Sequence, residues 1–533
     1  MLKNSSNKWC LIRADASREI GFGHIMRCLA LARALQKMDI QCVFIVRNIL
    51  DSLKHLITSQ GHTFILLPKD NTTTQISEKG KHAAWLGASE REDAETVVSA
   101  LSQTVQRLGQ PSLIICDHYG IGQIWETLIA DSFSAPILVI DDLSNRFHQC
   151  QILLDATFGK TSKDYKALVP SDCQLLVGSE YALLRPEFFK LRKATLSRRD
   201  NNFSDNKPVE LIVISMGGTD NDNASLQILK ALEALPPPQV FNIEILIGKD
   251  CAHLSTLNKY AAQSSLNVVV HAGVDCVADF YGRADLCIGA AGSSTWERCS
   301  LGLPTINITI AENQETISQN LSRRGFVANG GNIQSISPKK FATNLLSPVI
   351  TSNTKRKSLS EMSRKICDGQ GISRVILALN SRSIKQAKIV SLRLANTDDI
   401  QLVYDWQNLP ETRKYANNPT PPEWNQHLIW MQKKLIQSHN HFYIIQCDGV
   451  DAGVVRLDLD INEDQSDKHV ISIFIAPIYF GYGVASAALS IISDIHCDKK
   501  VWAQIHADNK ASISLFSRAG YTQKHTNWYS LEH

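Results

Sequence analysis

The stretch Trp9-Cys10-Leu11-Ile12-Arg13-Ala14-Asp15-Ala16-Ser17, followed after three residues by Gly21-Phe22-Gly23-His24-Ile25-Met26-Arg27, decides the fold. Trp9 to Ile12 is a short apolar run of buried-strand length. From Ile25 onward Met26, Leu29, Ala30, Ala32 and Leu35 fall on one face of a helix. A glycine-rich turn between a strand's carboxyl end and a helix start is where open α/β sheets bind ligands. Unpaired N–H groups there favour phosphate or other anions. The positive helix end predicts a lowered pKa for His24, keeping its imidazole neutral and able to accept a proton. The plainer reading is a tight turn with His24 capping the helix.

Outward from this stretch the same rhythm repeats. Gln41–Val46, Ser112–Cys116 and Ile137–Ile140 read as buried strands, each followed by a turn or a helical pattern, as in a parallel α/β sheet. The polar stretch Ser197–Lys207 reads as an exposed connection between lobes. Strand patterns resume at Val209–Ser215, Phe241–Ile247, Val268–His271 and Asp285–Ile288. A second polar passage, Ser381–Lys388, precedes a third pattern beginning at Val390. The expected division is an N-terminal Rossmann-like lobe over residues 1–196, a second lobe over 208–380 and a separate domain over 389–533.

Composition narrows the function classes. At 533 residues the chain is long enough for about three or four folding units. Its 44% hydrophobic and 20% charged content describes a globular protein, not a disordered one. A net charge of +3 calls for neither nucleic acid nor an anionic membrane. Thirteen cysteines, none in a CxxC pair, and an N-terminus without an apolar signal run point to a reduced, cytoplasmic chain with free thiols. No Cys/His spacing resembles a zinc site, and no metal is expected; Asp141-Asp142 lacks a third ligand at sensible spacing. Val470–Ser493 is uncharged and long enough to span a bilayer. Its internal Pro477, Gly481 and Gly483 make it instead a strand, a loop and a helix over Val484–Ile495.

The second lobe carries two further glycine-rich turns. Met216-Gly217-Gly218-Thr219-Asp220 follows its first strand, and Gly289-Ala290-Ala291-Gly292-Ser293-Ser294-Thr295-Trp296-Glu297 comes later. Small residues there let backbone and hydroxyl groups approach a diphosphate, and an acidic residue a few positions on suits ribose hydroxyls. Gly302-Leu303-Pro304 leads into a strand, Thr305–Ile310, with Glu312-Asn313-Gln314 at its end.

Gly292 to Thr295 with Glu297 resembles the uridine-diphosphate site of GT-B glycosyltransferases. Residues 8 to about 380 more closely resemble the UDP-sugar hydrolases of pseudaminic acid biosynthesis. The match is carried by Arg13 to Ser17, Gly21 to Arg27, Asp117-His118-Tyr119-Gly120, Asp141-Asp142-Leu143, Gly178 to Phe188, and Glu312-Asn313-Gln314. The resemblance implies two Rossmann-like lobes in a GT-B arrangement. It also implies metal-independent hydrolysis of UDP-2,4-diacetamido-2,4,6-trideoxy-β-L-altropyranose, water attacking the anomeric carbon and UDP leaving. His24 matches the catalytic histidine that activates the water. Glu297 and Ser294 would hold the uridine part, the Gly292 turn the diphosphate, and Asp15, Tyr119 and Asn313 the sugar. Gly23, Arg27 and Gly218 complete the substrate-binding set. Arg13, Arg27 and Asp117 also fit plain structural ion pairs.

The third domain has its own signatures. Phe480-Gly481-Tyr482-Gly483-Val484-Ala485 opens a helix, and Asn509-Lys510-Ala511-Ser512 is followed by Leu515-Phe516-Ser517-Arg518-Ala519-Gly520-Tyr521. Both are similar to motifs of GNAT acetyltransferases, an α+β fold. That resemblance implies acetyl-CoA as co-substrate, gripped around Gly481, Gly483, Ala485 and Asn509. Two positions depart from the family: Phe480 stands where Arg or Gln is usual, and Phe516 where a proton-donating tyrosine often stands. Together the resemblances imply a bifunctional enzyme acting on a small UDP-amino sugar, its third domain acetylating the 4-amino group of the precursor. Two alternatives stay open: a UDP-sugar glycosyltransferase and a non-catalytic sugar-nucleotide sensor.

Overall fold

The computed structural model describes residues 8–531 apart from 18, 69–81, 238–239, 417, 438–440 and 462–466. Residues 8–33 and 41–372 belong to one compact unit, and residues 34–40 and 373–531 to a second.

The first unit holds two parallel sheets. One contains β1 (Trp9–Ala14), β2 (Gln41–Val46), β3 (Thr63–Leu66), β4 (Leu113–Asp117), β5 (Ile137–Ile140), β6 (Ile152–Asp155) and β7 (Gln174–Val177), in the order β3-β2-β1-β4-β5-β6-β7. β1 and β4 are buried at every position, which a sheet covered on both faces requires of its central strands. The strand order reverses direction between β1 and β4. The loops leaving these two strands therefore part and open a crevice at their carboxyl ends. Register pairs Ala14 with Asp117, so Asp117 stands beside the chain that runs on to His24.

The other sheet contains β8 (Leu211–Ser215), β9 (Asn242–Ile247), β10 (Asn267–Ala272), β11 (Leu286–Ala290), β12 (Thr305–Thr309) and β13 (Ala328–Asn332), ordered β10-β9-β8-β11-β12-β13. Here the reversal falls between β8 and β11, the two strands whose following turns are Met216–Asp220 and Ala291–Ser294. Both lobes are thus Rossmann-like, and the fold is GT-B-like.

The expected exposed connection over Ser197–Lys207 is mostly helix. A helix runs over Pro186–Ser204, and Arg199 inside it is buried. Its guanidinium donates to the carbonyls of Leu301 (2.9 Å), Ala284 (2.6 Å) and Tyr281 (2.6 Å). Arg198 reaches the Gly282 and Ala284 carbonyls as well. The polar stretch is helical because its arginines satisfy backbone acceptors of the second lobe.

The second unit is built on an eight-stranded sheet: β14 (Arg382–Ser383), β15 (Ile389–Leu394), β16 (His441–Cys447), β17 (Val450–Ile461), β18 (Asp467–Ile475), β19 (Lys500–Gln504), β20 (Thr522–His525) and β21 (Trp528–Leu531). Its order is β14-β15-β16-β17-β18-β19-β21-β20. All pairs are antiparallel except β18 with β19. Part of the polar passage Ser381–Lys388 is strand β14, paired with β15, so the sheet starts several residues before 389. The uncharged stretch from Val470 divides into the rest of β18 and a helix over Val484–Ile495 whose buried face includes Ala488, Leu489, Ile491 and Ile492. Among the described residues no helix is long and apolar enough to cross a membrane.

Candidate functional site

A cavity of about 1110 Å³ takes its walls from both lobes of the first unit. Gly23, His24, Arg27, Tyr119, Asp142 and Thr157 line it from the first lobe. Thr219, Asp220, Gly292, Ser293, Trp296 and Glu312 line it from the second. It therefore lies where the two strand-order reversals open.

His24 begins the helix Gly23–Gln36 and is only 6% exposed. Its Nδ1 lies 2.5 Å from Asp117 Oδ1. Burial alone would raise the Asp117 carboxyl, but Arg27 and then His24 hold it well below the usual carboxylate range. Arg27 donates to both carboxylate oxygens, each at 2.6 Å, and to Asp142 Oδ2 at 3.1 Å. An ionised carboxylate only accepts, so Nδ1 of His24 is the donor. In the neutral ring this contact places the hydrogen on Nδ1 and leaves Nε2 as the acceptor. The sequence reading gave His24 a helix end as its electrostatic partner; the dominant partner is a clamped carboxylate.

Tyr119 packs edge-on against His24, with ring centroids 4.6 Å apart. Burial, then the charge of Asp142, pushes its phenol well above the ordinary value, so it remains a proton-bearing donor, hydrogen-bonded to Asp142. Trp85 stacks on Tyr119 at 5.9 Å and also lines the cavity. Trp85 is a wall residue that sequence reasoning missed, and Asp142, singled out there only within the family match, is another.

Behind this wall lies a buried carboxylate pair. The Tyr165 hydroxyl sits 2.9 Å from Asp141 Oδ2 and 2.8 Å from Asp155 Oδ2. One hydroxyl proton makes a full hydrogen bond to only one carboxylate at a time, so protonating one acid lets it donate to the tyrosine oxygen and satisfies both contacts. Arg146 and the Ser144 N–H hold Asp141 low, whereas burial raises Asp155 to about 6. Asp155 is the acid of the pair that holds a proton, up to a pH of about 6. The residues that flank it, Leu154, Ala156 and Thr157, line the cavity.

On the second lobe, Arg298 is fully buried and shapes the Gly292 turn. It donates to the Ala290 carbonyl (2.8 Å), Asn307 Oδ1 (3.1 Å), Thr295 Oγ1 (3.1 Å) and Ser294 Oγ (2.9 Å). A Cβ at Gly289 would stand 2.8 Å from that guanidinium, so only glycine fits there. Asp220 accepts from the Ala224 and Ser225 N–H groups at 2.7 and 3.0 Å, starting the helix Ala224–Glu233.

Several predicted residues stand elsewhere than expected. Asp15 is fully buried behind the cavity. Both its oxygens take Arg13, and Oδ1 also accepts the Arg47 N–H at 2.7 Å; it holds the turn and does not face a sugar. Gly218 lies under Phe22, whose ring a Cβ there would meet at 2.6 Å, while Thr219 and Asp220 carry on to the cavity. Ser294 is turned to Arg298. Glu297 pairs with Arg185 at 3.6 Å, just beyond the wall residues Trp296 and Leu184. Asn313 belongs to the short turn Glu312–Gln314, and its side chain is outside the described residues. Among the described residues, no cluster of three or more His, Cys, Asp or Glu side chains is placed to hold a metal ion.

In the second unit, β18 and β19 pair from Lys468 with Lys500 to Ile471 with Ala503 and no further. β18 runs on to Ile475, so the two strands separate at their carboxyl ends. Beyond β18 the chain turns through Gly481 (φ +82°) and Gly483 (φ +89°) into the helix Val484–Ile495, which starts without a side-chain cap. An added Cβ at either glycine would meet open space. A split between parallel strands beside a glycine turn and uncapped helix N–H groups is a cradle for an anionic, extended ligand. Residues 390–522 match the acetyltransferase (GNAT) domain family. The C-terminal unit contains a GNAT domain.

The lobes have relatives of their own. The chain is homologous to the UDP-2,4-diacetamido-2,4,6-trideoxy-β-L-altropyranose hydrolase of Campylobacter jejuni, with 26% identity over 316 residues, 59% of this chain and 97% of that enzyme. An uncharacterised protein of Methanocaldococcus jannaschii is 22% identical over 526 residues, 96% of each chain. Among solved structures, MurG of Acinetobacter baumannii aligns with a TM-score of 0.49 at 14% identity, over 69% of this chain and 98% of MurG.

Within the GNAT domain, Gly481, Gly483 and Ala485 form the turn and helix start that the sequence predicts to bind acetyl-CoA. Asn509 has a local role: its Oδ1 accepts the Ser512 N–H at 3.1 Å and caps the helix Lys510–Arg518. Phe516 is a core residue packed edge-on against Tyr521 at 5.0 Å. Tyr521 and Tyr529 are buried in the same core. Phe480 is 54% exposed beside the glycine turn.

Proposed function

We propose that the two-lobed unit hydrolyses a UDP-activated 2,4-diacetamido-2,4,6-trideoxy sugar to free sugar and UDP. The observation that carries the reading is His24, seated in the interlobe cavity with Nδ1 on the clamped Asp117. With Nδ1–H fixed, Nε2 takes a proton from water as the oxygen attacks the anomeric carbon, and Asp117 stabilises the imidazolium that forms. Tyr119 and Thr157 would contact the sugar, and the Gly292–Ser293 turn the diphosphate leaving group. Glu297 would take ribose hydroxyls in exchange for Arg185. Homology to the Campylobacter hydrolase supports this substrate class. The reading requires no metal ion.

The GNAT domain is proposed to transfer acetyl from acetyl-CoA to the 4-amino group of the precursor UDP-sugar. The open glycines and the strand split fit the cofactor's pantetheine and diphosphate, and its thioester would supply the acetyl group. Phe516 cannot protonate a leaving thiolate, so that proton must come from another group or from water.

Incubating the chain with the UDP-diacetamido sugar alone tests the hydrolase. Stoichiometric UDP and free sugar are expected; UDP release only on adding an acceptor would make the protein a glycosyltransferase. Adding acetyl-CoA and the UDP-4-amino sugar tests the GNAT half, with acetylated product expected by mass spectrometry.

A further inference from the structure

We propose that Cys150 and Cys173 form a dithiol–disulfide pair that a hydroperoxide oxidises. All thirteen cysteines are free thiols, but these two have their sulfurs 3.7 Å apart. They precede neighbouring parallel strands: Cys150 stands just before β6 and Cys173 directly before β7. There the Gln174 N–H donates to the Gln151 carbonyl at 2.9 Å. Adjacent strands set backbones at the separation a disulfide spans. The two thiols differ in access. Cys150 is 1% exposed, whereas Cys173 is half-buried and reachable from solvent.

That asymmetry divides the roles. The hydrogen bond from Cys150 lowers the Cys173 thiol, making it the better nucleophile at neutral pH. Its thiolate attacks one peroxide oxygen, the O–O bond breaks, and the departing oxygen is protonated to water, leaving a sulfenic acid. Cys150 then loses its proton and displaces the hydroxyl as a second water while the S–S bond forms. Two thiols are oxidised by two electrons in all, and one hydrogen peroxide is reduced to two waters. Cys10 and Cys42 are register partners on β1 and β2 but are sealed in the core, so neighbouring thiols without access provide an internal control. The cross-link ties edge strand β7 to β6 and closes the segment 151–172, which carries Asp155 and Tyr165.

The full chain, treated with a modest excess of hydrogen peroxide, alkylated and digested without reductant, tests this. The expected product is the Cys150 peptide joined to the Cys173 peptide, two hydrogens lighter and separated by dithiothreitol, with Cys10 and Cys42 still alkylatable after unfolding. In Cys150→Ser, Cys173 should be trapped by dimedone as sulfenic acid. Full alkylation of Cys173 after peroxide in the parent, or its linkage to any other cysteine, overturns the proposal.

Discussion

At the residue scale the account turns on how charge is held behind the cavity. Asp117 is ionised because Arg27 spans both its oxygens, and that ionisation fixes which nitrogen of His24 carries hydrogen. Asp117→Asn keeps the shape but offers an amide to Nδ1; kcat is expected to fall about a hundredfold or more in steady-state assays, with KM changed little. Asp155 works in the opposite sense. Its folded pKa of about 6 lies above the unfolded carboxylate value, so the fold favours the protonated acid. Its contribution is fully present below about pH 4 and is lost as pH rises through about 6, a difference of about 3 kcal/mol. Asp155→Asn mimics the protonated acid, its amide donating to Tyr165. Thermal melts should therefore favour the variant increasingly from pH 5 to pH 8; a constant gap would contradict the protonated assignment. His24 was legible because it sits where a glycine turn meets an apolar-periodic helix. Asp155 and Tyr165 were not, since their meaning depends on a shared proton that no spacing reveals.

At the element scale, strands that read as apolar runs were legible and mixed or polar elements were not. β2 and β5 coincide with their apolar runs because parallel strands buried on both faces read as continuous hydrophobic stretches. β6 (ILLD) and β7 (QLLV) hold only three apolar residues each beside a polar one, yet the end of β6 helps to wall the cavity. The helix Pro186–Ser204 escaped for another reason. The acceptors that Arg199 satisfies lie 82 to 102 residues away in sequence, so the polar run reads as a linker until the second lobe is in place. Arg199→Ala leaves three buried carbonyls without this donor. It is expected to cost about 2–4 kcal/mol in denaturant unfolding, whereas Arg107→Ala on an exposed helix end should cost little.

At the scale of the whole molecule, a hydrolase-related two-lobed unit and a GNAT domain share one chain, and each rests on its own geometry. The GNAT cradle depends on a left-handed glycine at 483; Gly483→Ala strains that turn and should weaken acetyl-CoA binding about tenfold by calorimetry, leaving UDP-sugar hydrolysis unchanged. The two-lobed organisation was legible from the repeated strand–turn–helix rhythm. The substrate positions were legible only in part: Asp15, Gly218 and Glu297 carry family-like spacing, yet their contacts are with Arg13, Phe22 and Arg185. The most direct test of the central claim is single-turnover hydrolysis by His24→Ala, measured beside UDP binding by calorimetry. The account predicts UDP affinity within about threefold of the parent and a rate lower by about 10² to 10⁴. Turnover at the parent rate with the imidazole gone would contradict it.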